Sequence, residues 1–386
     1  LLYQRIAIYF TNSEMDRIRR GDEMYQQSLS SEYTDLSLEE TGERIASLKR
    51  RLGDKIIILG HHYQRDEIIQ WADYRGDSFL LSRIAAQHGE APYIVFCGVH
   101  FMAESADILT NDNQAVILPN LSAGCSMADM ASIRQVERCW RDLVSVLPED
   151  QIVPITYVNS AATLKAFVGA HGGSCCTSSN ASKVMEWALQ GGKRLLFFPD
   201  QHLGGNTAMQ MGYDPETDMA LWDPAKPFGG LSRRQVERAQ IFLWKGFCSV
   251  HERFTVEQIA KARMEFPGIK VIVHPECTMD VVKAADLNGS TEYIIKQVSQ
   301  SPSGTSWAIG TEVNLVHRLK KEMPDKTIFC LDPIVCPCST MYRIHPHYLL
   351  WVLDNLAKGE IVNRIVVEEP VKSYARISLE RMLEIS

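Results

Sequence analysis

KIIILGHHY at residues 55–63, QIVPITYVNS at 151–160 and IKVIVHPE at 269–276 follow one pattern. Each is an apolar run that breaks into polar side chains at its carboxyl end: His61 and Tyr63, Tyr157 and Asn159, His274 and Glu276. A hydroxyl-rich turn follows each: Gly76-Asp77-Ser78, Thr177-Ser178-Ser179 and Gly289-Ser290-Thr291. A second apolar run comes next: PYIVFCGVH at 92–100, RLLFFPDQH at 194–202 and SWAIGTEVN at 306–314. Strands buried on both faces read as continuous apolar runs, and strand–helix–strand in fixed order implies βα units with parallel sheets. The chain is therefore expected to be α/β, built from three repeated units. Ligands in such sheets bind beyond the carboxyl ends of the strands, which is where the polar residues fall. Three such edges facing one another would enclose a pocket.

Each unit closes on a cysteine. AVILPNLSAGC ends at Cys125, IFLWKGFC at Cys248 and TIFCLDPIVCPC at Cys338. One thiolate from each of three repeats suggests a shared central site, able to hold a metal or an iron–sulfur cluster with one coordination position open. Cys336, two residues before Cys338, is the alternative ligand in the third unit. Cys97, Cys139, Cys175, Cys176, Cys277 and Cys330 lie in or beside apolar runs and read as buried structural residues. Ten cysteines without an export signal fit a reducing compartment, so a cytoplasmic location is expected.

The chain has 386 residues, of which 45% are apolar, with a net charge of −7. That is enough for several cores. It gives no basic domain for nucleic acid and no apolar run of the roughly 20 residues that span a bilayer. Residues 1–40 include the polar, poorly periodic stretch TNSEMDRIRRGDEMYQQSLSSEYTD and are expected to be a loosely ordered extension. Ser37 and Glu40 form a capping box that opens a helix ending at Gly53. HPHYLLWVLDNLAKGE and ISLERMLEI have helical periodicity near the C-terminus. There is no G-x-G-x-x-G, no Walker loop, no H-E-x-x-H and no C-x-x-C.

The motifs GHHYQ (60–64), GDS (76–78), VFCGVHFMAESAD (95–107), PNLSAGCSMAD (119–129), YVNSAATLKA (157–166) and CCTSSNA (175–181) occur in order. They continue with FFPDQHLG (197–204), WKGFCSVHERF (244–254), VHPE (273–276), NGST (288–291), IGTE (309–312) and CPCSTMYRIHPHYL (336–349). In these the chain resembles the quinolinate synthases, iron–sulfur enzymes of NAD biosynthesis, from residue 40 to the C-terminus. The resemblance implies three αβα sandwich domains around a pseudo-three-fold axis: 41–126 completed by C-terminal helices in 342–386, then 127–249, then 250–341. It implies condensation of iminoaspartate, supplied by L-aspartate oxidase, with dihydroxyacetone phosphate to give quinolinate, phosphate and water. It also implies a [4Fe–4S] cluster on Cys125, Cys248 and Cys338, the last preferred because Met341 completes a C-x-x-M pattern. The sequence leaves a homodimer open.

An iron without a cysteine ligand acts as a Lewis acid, and dehydration needs a proton donor and a base nearby. Glu276, Tyr157, Tyr63 and His61 are the candidate catalytic groups. His61, Ser78, Tyr157, Asn159, Ser178, His251, His274, Glu276, Ser290 and Thr291 are the candidate substrate contacts, with the hydroxyls expected at helix N-termini that favour anions. Each has a plainer reading as a helix cap, a core residue or an exposed carboxylate. Two rival functions are a zinc–thiolate enzyme on the same cysteines and a non-catalytic iron–sulfur sensor.

Overall fold

The structure is a computed structural model that describes residues 26–334 and 337–385. The repeated runs form the strands as read. Unit one holds β1 (Ile56–His61), β2 (Tyr74–Gly76), β3 (Tyr93–Cys97) and β4 (Ala115–Ile117). Unit two holds β5 (Ile152–Tyr157), β6 (Ser174–Cys176), β7 (Arg194–Phe198), β8 (Met219–Trp222) and β9 (Ile241–Trp244). Unit three holds β10 (Lys270–Val273), β11 (Leu287–Asn288), β12 (Ser306–Gly310) and β13 (Thr327–Cys330), and β14 (Arg364–Ile365) follows near the C-terminus.

The three sheets share one strand order: β2-β1-β3-β4, β6-β5-β7-β9 and β11-β10-β12-β13. The first gains β14 beyond β4 as its antiparallel edge; the second gains β8 beyond β9. All other pairings are parallel. In such an order the chain leaves the first and third strands of each unit toward opposite faces, and a crevice opens between their carboxyl ends. His61, Tyr157 and His274 all stand at that point.

The Ser37 capping box is present: Glu40 N–H donates to Ser37 Oγ at 3.2 Å, and Glu40 Oε2 accepts from Ser37 N–H at 2.9 Å. The helix Leu38–Leu52 packs against the C-terminal helix Pro346–Lys358. Two expectations need correction. Residues 26–40 are not loose: Tyr33 is buried in the short helix Ser31–Thr34, and its O–H donates to Asp354 Oδ2 at 2.6 Å. Its apolar ring gives this otherwise polar stretch an anchor; residues 1–25 lie outside the described residues. The last helix, Val371–Glu384, does not complete unit one alone. It lies against the helix Ala162–Ala170 of unit two, where a Cβ on Gly169 would stand 2.0 Å from the Tyr374 carbonyl oxygen. It also reaches unit one, with Lys372 Nζ 3.4 Å from Asp107 Oδ2.

Units one and two share a continuous apolar core that runs from Ile45 and Phe96 through Ile155 and Phe197 to Leu379. Unit three has two cores of its own, around Val271 and Val273 on one face of its sheet and around Ile272 and Trp307 on the other. No helix among the described residues is long and apolar enough to cross a membrane.

Candidate active site

One cavity is lined from all three units. His61, Tyr63, Ser78, Tyr157, Asn159, Ser178, His251, His274, Glu276 and Thr291 line it, together with Cys125, Cys248 and Cys338. Ser290 does not: it caps the helix Thr291–Gln300, accepting Tyr293 N–H at 3.3 Å.

The three cysteines are held alike. Each is followed three residues later by a turn of 3₁₀ helix: Ala128–Met130, His251–Arg253 and Met341–Arg343. In each the cysteine carbonyl accepts the N–H four residues on: from Asp129 at 3.1 Å, Glu252 at 3.0 Å and Tyr342 at 2.9 Å. Backbone N–H groups at the start of each turn also reach the sulfur: Ala128 and Met127 for Cys125, His251 for Cys248, Met341 and Thr340 for Cys338. Oriented N–H groups stabilise negative charge, so each turn favours a thiolate. Without a cation burial wins. It pushes the Cys125 thiol up to about 12 and raises Cys248 and Cys338, and the neighbouring thiols add to the first two shifts. A bound metal would reverse that balance. Cys338 thus shares the setting of Cys125 and Cys248, whereas Cys336 lies outside the described residues.

Three thiols on one cavity are donors of the type that soft metals and iron–sulfur clusters take. Zinc at about 2.3 Å from each sulfur would hold tetrahedral sulfurs about 3.8 Å apart. Among the described residues, the trio of potential ligand atoms lying within 4.8 Å of one another is Cys248, His251 and Glu276, and not the three thiols.

Glu276 is the hub of the polar groups. Tyr157 O–H donates to its Oε1 at 2.7 Å, and His251 Nδ1 lies 2.6 Å from Oε2, a close electrostatic contact without hydrogen-bond alignment. His274 stacks on His251 with ring centres 4.4 Å apart. His251 Nε2 meets Thr311 Oγ1 at 3.1 Å; Tyr63 Oη meets Thr311 Oγ1 at 2.9 Å and Thr291 Oγ1 at 3.1 Å. A continuous polar chain therefore runs from Thr291 through Tyr63, Thr311 and His251 to Glu276 and Tyr157. Burial works to raise the Glu276 pKa, but His274, His251 and the Tyr157 hydroxyl hold it below the usual carboxylate range. Burial, reinforced by Glu276, keeps Tyr63 and Tyr157 protonated.

His61 and His274 use the same device in different units. His61 Nδ1 accepts Tyr63 N–H at 3.1 Å, and His274 Nδ1 accepts Glu276 N–H at 3.3 Å. Nδ1 is therefore the acceptor and Nε2 carries the proton in the neutral ring. Burial keeps both rings neutral: it depresses His61 and brings His274 down to about 3. Asn159 Oδ1 is buried and has no hydrogen-bond partner among the described residues.

A family profile described as Quinolinate synthetase A protein matches residues 43–384. The chain belongs to the quinolinate synthase family. The quinolinate synthase of Corynebacterium glutamicum is 58% identical over 360 residues, covering 93% of this chain and 91% of that protein. That of Herpetosiphon aurantiacus is 53% identical over 359 residues, covering 92% and 96%. That of Anoxybacillus flavithermus is 54% identical over 354 residues, covering 91% and 95%. Membership in this enzyme family removes the non-catalytic sensor reading.

Reading the sequence alone missed Thr311, which joins Tyr63 to His251, and Asp200, a fully buried cap whose carboxyl is pushed well above the usual range by burial and by Glu276. Their signal was present: IGTE and FFPDQH each follow the third strand of a unit, the same edge that carries the residues named.

Proposed function

We propose that this chain condenses iminoaspartate with dihydroxyacetone phosphate to quinolinate, releasing phosphate and two waters, at a [4Fe–4S] cluster held by Cys125, Cys248 and Cys338. The observation that carries this is the identical setting of the three thiols on one cavity shared with Glu276, Tyr157, His274 and His61. The atoms balance without an oxidant, so the chemistry is condensation, proton transfer and dehydration. When bound, the cluster would supply a Lewis-acidic iron for a substrate oxygen.

The protein's own groups do the rest. Glu276, ionised and hydrogen-bonded to Tyr157, is the base that takes a proton from substrate carbon. Tyr157 and Tyr63 stay protonated and donate to oxygen. His61 and His274 present neutral Nε2–H donors to carbonyl or phosphate oxygens. Ser78 at the start of the helix Ser78–Gln87, Ser178 before Ala181–Ala188, and Thr291 at the start of Thr291–Gln300 offer hydroxyls and helix N-termini to carboxylate and phosphate. L-aspartate oxidase would supply the unstable imine.

The test is anaerobic isolation with iron, sulfide and quinolinate measured together. Four irons per chain and product formation are expected. Ser at position 125, 248 or 338 should remove both in a folded protein. Four-iron protein that makes no quinolinate from both substrates would refute the reading. The Cys248–His251–Glu276 trio supports one other reading, a mononuclear zinc site, which would give colourless protein with one zinc.

A further inference from the structure

The loop that carries Glu276 is held from outside its own unit. Asn206, in the unit-two helix Gln201–Gln210, is 1% exposed. Its Nδ2 donates to the carbonyl of Pro275 at 2.9 Å and of Cys277 at 2.8 Å, the residues on either side of Glu276. Within the loop, Glu276 N–H donates to His274 Nδ1 at 3.3 Å and Cys277 N–H to the His274 carbonyl at 3.0 Å. Both outward carbonyls thus end on one side-chain amide from the neighbouring unit. The helix reaches that position because it lies close on its sheet: a Cβ on Gly204 would stand 2.7 Å from both Leu243 Cδ2 and Phe197 Cδ1.

The same unit supplies Tyr157, whose O–H meets Glu276 Oε1 at 2.7 Å. The carboxylate of unit three and the hydroxyl of unit two are therefore registered twice, once directly and once through Asn206. The amide orientation follows from its partners, since two carbonyl acceptors demand the NH₂ end. Asn206 Oδ1 then has no partner among the described residues, and Asn206 also lines a neighbouring cavity with His202 and Met279. Few side chains could replace it. Asp would set a carboxylate against two carbonyls, and Ser would reach one at most.

We propose that Asn206 is a positioning residue that aims Glu276 at its proton, acting across the boundary between units two and three. The proposal rests on the reading of Glu276 as the base. A displacement of about 1 Å at a reacting group can cost about 100-fold in rate, so Asn206→Ala should lower kcat by roughly that factor. KM for dihydroxyacetone phosphate and iron content should change little, because Asn206 touches neither substrate groups nor thiols.

The deciding experiment is a double-mutant cycle on the anaerobic holoenzyme with Asn206→Ala and Glu276→Gln. If Asn206 acts through Glu276, adding Asn206→Ala to Glu276→Gln should cost less than about threefold more in kcat. Two full losses that multiply would overturn the proposal, as would Asn206→Ala with unchanged kcat. A Glu276→Gln enzyme that keeps its kcat overturns the base assignment and this proposal with it. A full Glu276 effect beside an inert Asn206 overturns only the second. Should Asn206→Ala not fold, Asn206→Ser enters the same cycle, with a smaller loss and the same non-additivity expected; multiplying losses there would again overturn it.

Discussion

Glu276, Ser290 and Thr291 divide at the scale of single residues. Glu276→Gln keeps shape and removes basicity. A loss of about 100-fold to 10,000-fold in kcat is expected, with four irons retained; a loss under tenfold would make Glu276 structural. Ser290 and Thr291 read alike in the sequence but part in the structure. Ser290 caps a helix, so Ser290→Ala should lower stability by about 1 kcal/mol in chemical unfolding and leave KM for dihydroxyacetone phosphate unchanged. Thr291 lines the cavity and bonds Tyr63, so Thr291→Val should raise that KM by about tenfold or more. The reverse pattern would exchange their roles. The strand-end residues were legible because a βα unit puts polar groups in one place. Asn206 was not, because its partners belong to another stretch of chain that only the assembled fold brings near.

Elements were legible where local chemistry decides them: the apolar runs, the Ser37 capping box and the helices near the C-terminus. What the last helix packs on was not, since periodicity identifies an apolar face without its partner. The clue was Gly169, which permits close approach to Tyr374. Gly169→Ala should destabilise the protein by about 1–3 kcal/mol or more, read in denaturant, because the added carbon meets backbone rather than a yielding side chain. Gly246 matters for a different reason. It lies two residues before Cys248, and a Cβ there would stand 2.2 Å from the Pro199 carbonyl oxygen. Gly246→Ala should shift the Cys248 turn and lower bound iron in a protein that still folds; full iron and full activity would show that the turn tolerates the shift.

For the whole molecule, the three-fold repeat was visible in sequence, but not which units share a core. The structure joins one and two by a continuous apolar core, whereas unit three keeps two cores of its own and meets unit one through a set of polar groups. Arg318 donates to the carbonyls of Gln64 and His62, Asn314 Nδ2 to the Tyr63 carbonyl at 3.3 Å, and His62 Nε2 lies 2.7 Å from Glu292 Oε1. Amide exchange should therefore protect units one and two as a single cooperative block, with unit three opening at lower free energy; three equal blocks would contradict this. A seam of hydrogen bonds can part by trading its partners for water, while an apolar seam cannot part without exposing its core. It follows that Glu276 and Thr291 sit on the unit with cores of its own, and that Glu276 meets Tyr157 across a boundary between units rather than within one.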